Sequence, residues 1–214
     1  MKHLPSILII ASIPIILGLV FWLSKNNAEL PANQATSLLY IAPSDHIKGS
    51  GDSKIELTEY SDFQCPACGA YYPYVKQIVD KFSDQIKFAY RHFPLSQHIN
   101  ANLAARTAEA AGKQGKFWEM HDLLFENQNS WGSNNDAKNI FIGFASNLGL
   151  DVEKFKADLN SKEIQSKVAG DFKGGVSAGV NSTPTFFLNG KMLKPNTMNP
   201  KLLEESVNAT IQNQ

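Results

Sequence analysis

The chain has 214 residues, 43% of them hydrophobic and 19% charged, with 20 Lys+Arg against 20 Asp+Glu. That is enough chain to bury a sizeable core, and the zero net charge excludes the broad basic field of a nucleic-acid binder. Two cysteines in this length exclude a disulfide-dense scaffold and leave one thiol pair that can cycle without scrambling against others.

Leu4 to Leu23 carries no charge and is broken only by Pro5, Ser6, Ser12, Pro14 and Gly18. At about 1.5 Å per helical residue this run reaches roughly the thickness of a bilayer core. It lacks a clean small-x-small cleavage site, so residues 1–24 are expected to be an uncleaved membrane anchor, with a cleaved signal peptide as the alternative. Lys2 and the terminal amine place the amino terminus inside and the rest of the chain outside, where disulfides persist. Residues 25–53 read as a polar extracytoplasmic linker with Pro31, Pro43 and Gly49-Ser50-Gly51. Leu38-Leu39-Tyr40-Ile41 is its one candidate strand. No heptad pattern is present, so a monomer is expected.

Ile55 to Tyr60 predicts a strand, Cys65 to Phe82 a helix and Ile86 to His92 a second strand, so Cys65-Pro66-Ala67-Cys68 falls at a strand-to-helix junction. The first helical turn offers unpaired N–H groups and the positive end of the dipole, both favouring a thiolate. Cys65 is therefore the expected nucleophile and Cys68 its resolving partner. Asp62 and Gln64 lie near enough to tune the thiolate, although a loop that satisfies its own polar groups is the simpler expectation. Arg91 and His92 read as surface residues at a strand end.

Helices are expected over His98–Ala111, Lys116–Asn127, Asp136–Leu148, Val152–Asn160 and Ser161 to about Ser177, with a last one over Lys201–Ile211. Thr185–Leu188 is a short apolar strand that ends in an Asn189-Gly190 turn. Pro184 at its start is a candidate cis residue, which would turn the backbone of Thr183 toward the cysteines. A zinc site built from Cys65, Cys68, His92 and His98 is a weaker reading, because no second Cys-x-x-Cys or close histidine pair exists. A tethered binding or chaperone module with a merely structural disulfide is another.

Taken together, Glu59-Tyr60-Ser61-Asp62-Phe63-Gln64-Cys65-Pro66-Ala67-Cys68, Pro73, Arg91-His92-Phe93-Pro94-Leu95, Gln114-Gly115-Lys116-Phe117-Trp118 and Thr183-Pro184-Thr185 resemble the DsbA-like branch of the thioredoxin superfamily. The resemblance runs from about Asp45 to Val207. It implies an α/β thioredoxin fold over 54–212 with a helical insertion at about 97–162, preceded by the transmembrane or signal segment. It also implies Cys65 as attacking cysteine, Cys68 as the buried one, Pro184 as a cis-proline beside Thr183, and Glu59 as a buried acid beneath the site rather than a partly exposed strand glutamate. The implied activity is extracytoplasmic thiol:disulfide exchange, most often oxidation of cysteine pairs in exported proteins, with reduction or isomerisation on the same fold as the alternative. The implied partners are those exported proteins and a membrane redox protein that recycles the pair; no cofactor or metal is implied.

Overall fold

The computed structural model of the protein describes residues 39–194 and 199–213. The candidate membrane or signal segment lies outside the described residues, and so does the first half of the linker; among those described, no helix is long and apolar enough to cross a membrane. The elements follow in the order β1 (Ile47–Gly49), β2 (Glu56–Ser61), α1 (Pro66–Lys81), β3 (Lys87–His92), α2 (Ala101–Gly112), α3 (Phe117–Glu126), α4 (Gln128–Trp131), α5 (Ala137–Asn147), α6 (Val152–Leu159), α7 (Lys162–Ser177), β4 (Thr185–Leu188), β5 (Lys191–Met192) and α8 (Pro200–Gln212).

The five strands form one sheet in the order β1-β3-β2-β4-β5. β2 and β3 are parallel, joined by the α1 crossover, while β1, β4 and β5 each pair antiparallel. Side chains alternate between the two faces, and both faces are covered. One carries Leu57, Phe88, Tyr90, Phe186 and Leu188 into the main core with Val75, Ile78 and Val79 of α1 and the helices that follow β3. The other carries Tyr60, Phe93 and Phe187 against the α7 side. Gly175 of α7 is required there, because a Cβ on it would stand 2.7 Å from the Phe93 ring and 2.9 Å from Tyr60. At the far hairpin, Asn189 and Gly190 have φ of 48° and 73°, the left-handed pair that joins β4 to β5 in a two-residue turn.

Two local expectations change, and a stretch left unassigned is filled. Tyr40 and Ile41 form no strand; the strand of the supposed linker is β1, whose three residues pair with Lys87, Phe88 and Ala89. The polar stretch after Asn127 holds the short helix α4, whose Trp131 is fully buried. Arg91 and His92 are buried rather than exposed, because β3 is an interior strand with elements on both faces. The Arg91 guanidinium contacts Asp45 Oδ2 at 2.7 Å, the Tyr60 hydroxyl at 2.9 Å and the Tyr40 carbonyl at 2.6 Å. His92 Nε2 lies 2.9 Å from Glu109 Oε1, and His46 Nε2 lies 3.0 Å from the other oxygen of the same carboxylate.

Removing one partner of a buried ion pair strands the other charge in the interior. Asp45→Ala is expected to lower the unfolding free energy by about 3–5 kcal/mol in denaturant titrations, whereas a loss below about 1 kcal/mol would place the pair with surface bridges.

Candidate active site

Cys65 is the N-cap of α1, with extended backbone (φ −67°, ψ 122°), and Pro66 follows at the first helical position, where its missing N–H leaves no gap. Cys65 therefore sits at the mouth of the first turn, with the Ala67 and Cys68 N–H groups turned toward its sulfur. The Thr183–Pro184 peptide bond is cis. It places the Thr183 carbonyl 3.6 Å from Cys65 Sγ, although 118 residues separate them. Both thiols are free.

The two cysteines are driven apart electrostatically. A hydrogen bond from the Cys68 thiol is the largest cause lowering the Cys65 pKa to about 5, with help from Thr183 and the helix-start N–H groups, against the opposing effect of burial. Cys68 is fully buried, and burial, the Cys65 sulfur and Glu59 push its thiol well above the ordinary value. At neutral pH one sulfur is a thiolate and the other holds its proton.

Glu59 lies beneath them. It occupies the same sheet face as Leu57, between Tyr90 on β3 and Phe186 on β4, and only 4% of its surface is exposed. Burial raises its carboxyl from 4.5 to about 7, opposed by the Ser61 hydroxyl. A cavity of about 20 Å³ touches Glu59 and is lined also by Lys48, Lys76, Trp118, His121 and Asp122. That volume holds about one water molecule and leads from the buried acid toward partly exposed charged groups.

Residues outside the motif hold its loop in place. The buried Asp62 carboxylate accepts from Gln64 N at 2.7 Å and Leu95 N at 2.9 Å, and His98 Nδ1 lies 2.7 Å away. Asp62 thus satisfies its own loop, as expected, and ties a second segment to it. Gln64 donates to the Gly132 carbonyl and accepts from Asn100 N, both at 2.7 Å. Gln128 Nε2 donates to the carbonyls of Phe63 at 2.7 Å and Cys65 at 3.0 Å. Asn100 and Gln128 were not legible as site residues: each stands in a polar stretch, and the buried Trp131 nearby is the only hint that the stretch packs.

The zinc reading finds no support in this arrangement. His98 is engaged by Asp62, and His92 by Glu109. Among the described residues His92, Glu109 and Asp171 bring candidate ligand atoms within 4.8 Å of one another, but neither cysteine belongs to that group. Lys167 Nζ already holds both Asp171 oxygens, at 2.7 and 2.8 Å.

Residues 42–209 match the family described as thioredoxin. The chain belongs to the thioredoxin family. Alpha-DsbA1 of Wolbachia pipientis superposes with a TM-score of 0.72 at 21% identity, covering 84% of this chain and 96% of that one. Oxidised BdbD of Bacillus subtilis gives 0.69 at 22% identity (78% and 93% covered), and DsbA2 of Pseudomonas aeruginosa 0.62 at 26% (79% and 96% covered). The chain thus has a DsbA-like thioredoxin fold, with the Cys65–Cys68 pair at the start of its first helix. Among curated proteins, a Na(+)/H(+) antiporter NhaA 1 of Salinispora arenicola is 40% identical over 148 residues, and an NhaA of Herminiimonas arsenicoxydans 37% over 150. The matches take in 69% and 70% of this thioredoxin-family chain but 22% and 23% of those relatives.

Two measurements check the electrostatics. Cys68→Ala should raise the pKa of Cys65 in a thiolate absorbance titration, since it removes the main stabilising donor; an unchanged titration near pH 5 would assign the effect to the helix start alone. Unfolded Glu59 ionises from about pH 4.5, whereas folded Glu59 keeps its proton to about 7. The Glu59 contribution to stability should therefore fall as pH rises through that window and level off above it, by about 3 kcal/mol in all, against the opposite contribution of the lowered Cys65 thiol in the reduced protein. Glu59→Gln should remove that fall in denaturant titrations at pH 4 and pH 8.

Proposed function

We propose that the protein oxidises cysteine pairs of exported proteins on the extracytoplasmic side of a membrane, to which the Leu4–Leu23 segment anchors it. The observation that carries this reading is Cys65 at the start of α1, facing the cis Thr183–Pro184 bond with the buried Cys68 beneath it, an arrangement that lowers the Cys65 thiol to about 5 while Cys68 retains its proton. A stabilised thiolate favours the reduced form of the pair, which makes the disulfide form the stronger oxidant. Allowing for solvent at the sulfur, the effect on the reduction potential is a few tens of millivolts.

In the oxidising cycle a substrate thiolate attacks Sγ of Cys65. The Cys65–Cys68 bond breaks, a mixed disulfide forms, and Cys68 leaves with the electron pair. Buried as it is, Cys68 needs a proton at once, and Glu59, still protonated near pH 7, supplies it and regains its own through the water-sized cavity on its other side. A second substrate thiolate then attacks the substrate sulfur of the mixed disulfide. The Cys65 thiolate leaves, the substrate keeps a disulfide, and two electrons remain on the protein for a membrane redox partner to remove. Thr183 and Pro184 form the wall against which the substrate strand lies during exchange, with no N–H on Pro184 to compete for its polar groups.

Equilibration with glutathione tests the direction. A potential well above that of thioredoxin, about −270 mV, is expected, and a value at or below it would make the protein a reductase. Cys68→Ser should accumulate mixed disulfides on Cys65 in cells, and their absence would remove the exchange mechanism. Glu59→Gln should slow the release of Cys68 most strongly near neutral pH, with little change in the Cys65 titration.

A further inference from the structure

The segment between β3 and α2 is pinned at several points, yet it holds an apolar side chain in solvent. Leu95 and His98 are tied to Asp62, Asn100 N donates to Gln64, and Asn100 Nδ2 reaches the carbonyls of Trp131, Gly132 and Asn134 at 2.9–3.2 Å. Between these anchors Ile99 is 68% exposed. One exposed isoleucine carries little by itself. The surface beside it carries more.

Two residues beyond Asn100, a groove of about 560 Å³ opens between α2 and α7, lined by Asn102, Arg106, Lys162, Gln165, Ser166 and Ala169. Arg106 donates through Nη1 to the Leu159 carbonyl at 3.3 Å, while its Nε is buried with no hydrogen-bond partner. Lys113, Lys156 and Lys167 nearby are each paired with a carboxylate, but among the described residues no carboxylate pairs with Arg106 or Lys162. The groove therefore carries two cations with no carboxylate paired to them among the described residues, one of them a guanidinium already part-desolvated. Its neutral lining of Asn102, Gln165 and Ser166 suits the amide groups of a main chain.

We propose that Ile99 and the Arg106–Lys162 groove dock an acidic stretch of the polypeptide substrate, flanking the cysteine that reacts at Cys65. This rests on the thiol-exchange reading above. Asn100 bonds directly to Gln64, next to Cys65, so Ile99 and the first turns of α2 that carry the groove are tied to the reactive loop. Amide and hydroxyl side chains set between the two cations fit a peptide main chain with carboxylates better than an anionic membrane.

The test uses the full-length chain and labelled peptides without cysteine, one acidic and one with its carboxylates replaced by amides. The acidic peptide should bind more tightly, should weaken with salt, and should lose about tenfold in affinity in an Arg106→Gln, Lys162→Gln double variant. Ile99→Ser should weaken both peptides alike. With a cysteine pair added to the acidic peptide, the double variant should raise KM about tenfold while kcat and the reaction with a small dithiol stay unchanged. Equal binding of the two peptides, or undiminished binding by the double variant, would overturn the proposal. So would charge-dependent binding to anionic lipid vesicles with no binding of the acidic peptide. If the cysteine-free peptide binds as expected but no peptide is oxidised, the docking surface stands and the exchange reading fails.

Discussion

The reactive site depends on holding a negative sulfur still at the start of a helix. The stabilising donors around Cys65 are short-range groups: the Cys68 thiol, two backbone N–H groups and the Thr183 side. Their effect falls away with small displacements, so the loop before α1 must not drift. The thioredoxin-like strands and α1 supply only part of that rigidity. The rest comes from the inserted helices, through Gln128 on the Phe63 and Cys65 carbonyls and through the bond between Gln64 and Asn100. The insertion is thus a brace for the nucleophile as well as added core.

Burial supplies the second half of the chemistry. The same desolvation that keeps Cys68 protonated raises Glu59 into the physiological range, so two groups unsuited to charge lie together under one that is charged. Tyr90 stands in the same layer, its hydroxyl buried and its ionisation pushed up by burial, Glu59 and Cys68. This layer exists because β2 and β3 are covered on both faces; a sheet with one wet face would have left Glu59 an ordinary surface acid.

Much of this was legible in the sequence. The strand-helix-strand unit, Cys65 at the helix start, the cis bond before Pro184 and the turn at Asn189-Gly190 all follow from local rules that tertiary structure did not override. What local rules missed were features decided by distant partners. Arg91 and His92 look exposed at the end of a strand until Asp45 and Glu109 arrive from distant segments to bond with them. β1 has only three residues and no alternation strong enough to announce it, since its pairing with β3 is what makes it a strand. Asn100 and Gln128 satisfy backbone carbonyls far away in sequence, and nothing in a run of polar residues says which carbonyls those will be.

The pairing of β2 with β4 has a consequence for how the protein is made. Tyr60 meets Thr185 across more than half of the chain, and Cys65 meets Thr183 across 118 residues. While synthesis runs from the amino terminus, both cysteines emerge long before β4 and the wall beside it. The newborn Cys65 gains the Cys68 thiol and the helix-start N–H groups once α1 folds, but has no wall at Thr183 until β4 arrives. The surroundings of the sulfur are thus completed in two stages, the local donors with α1 and the facing wall only with the closing of the sheet.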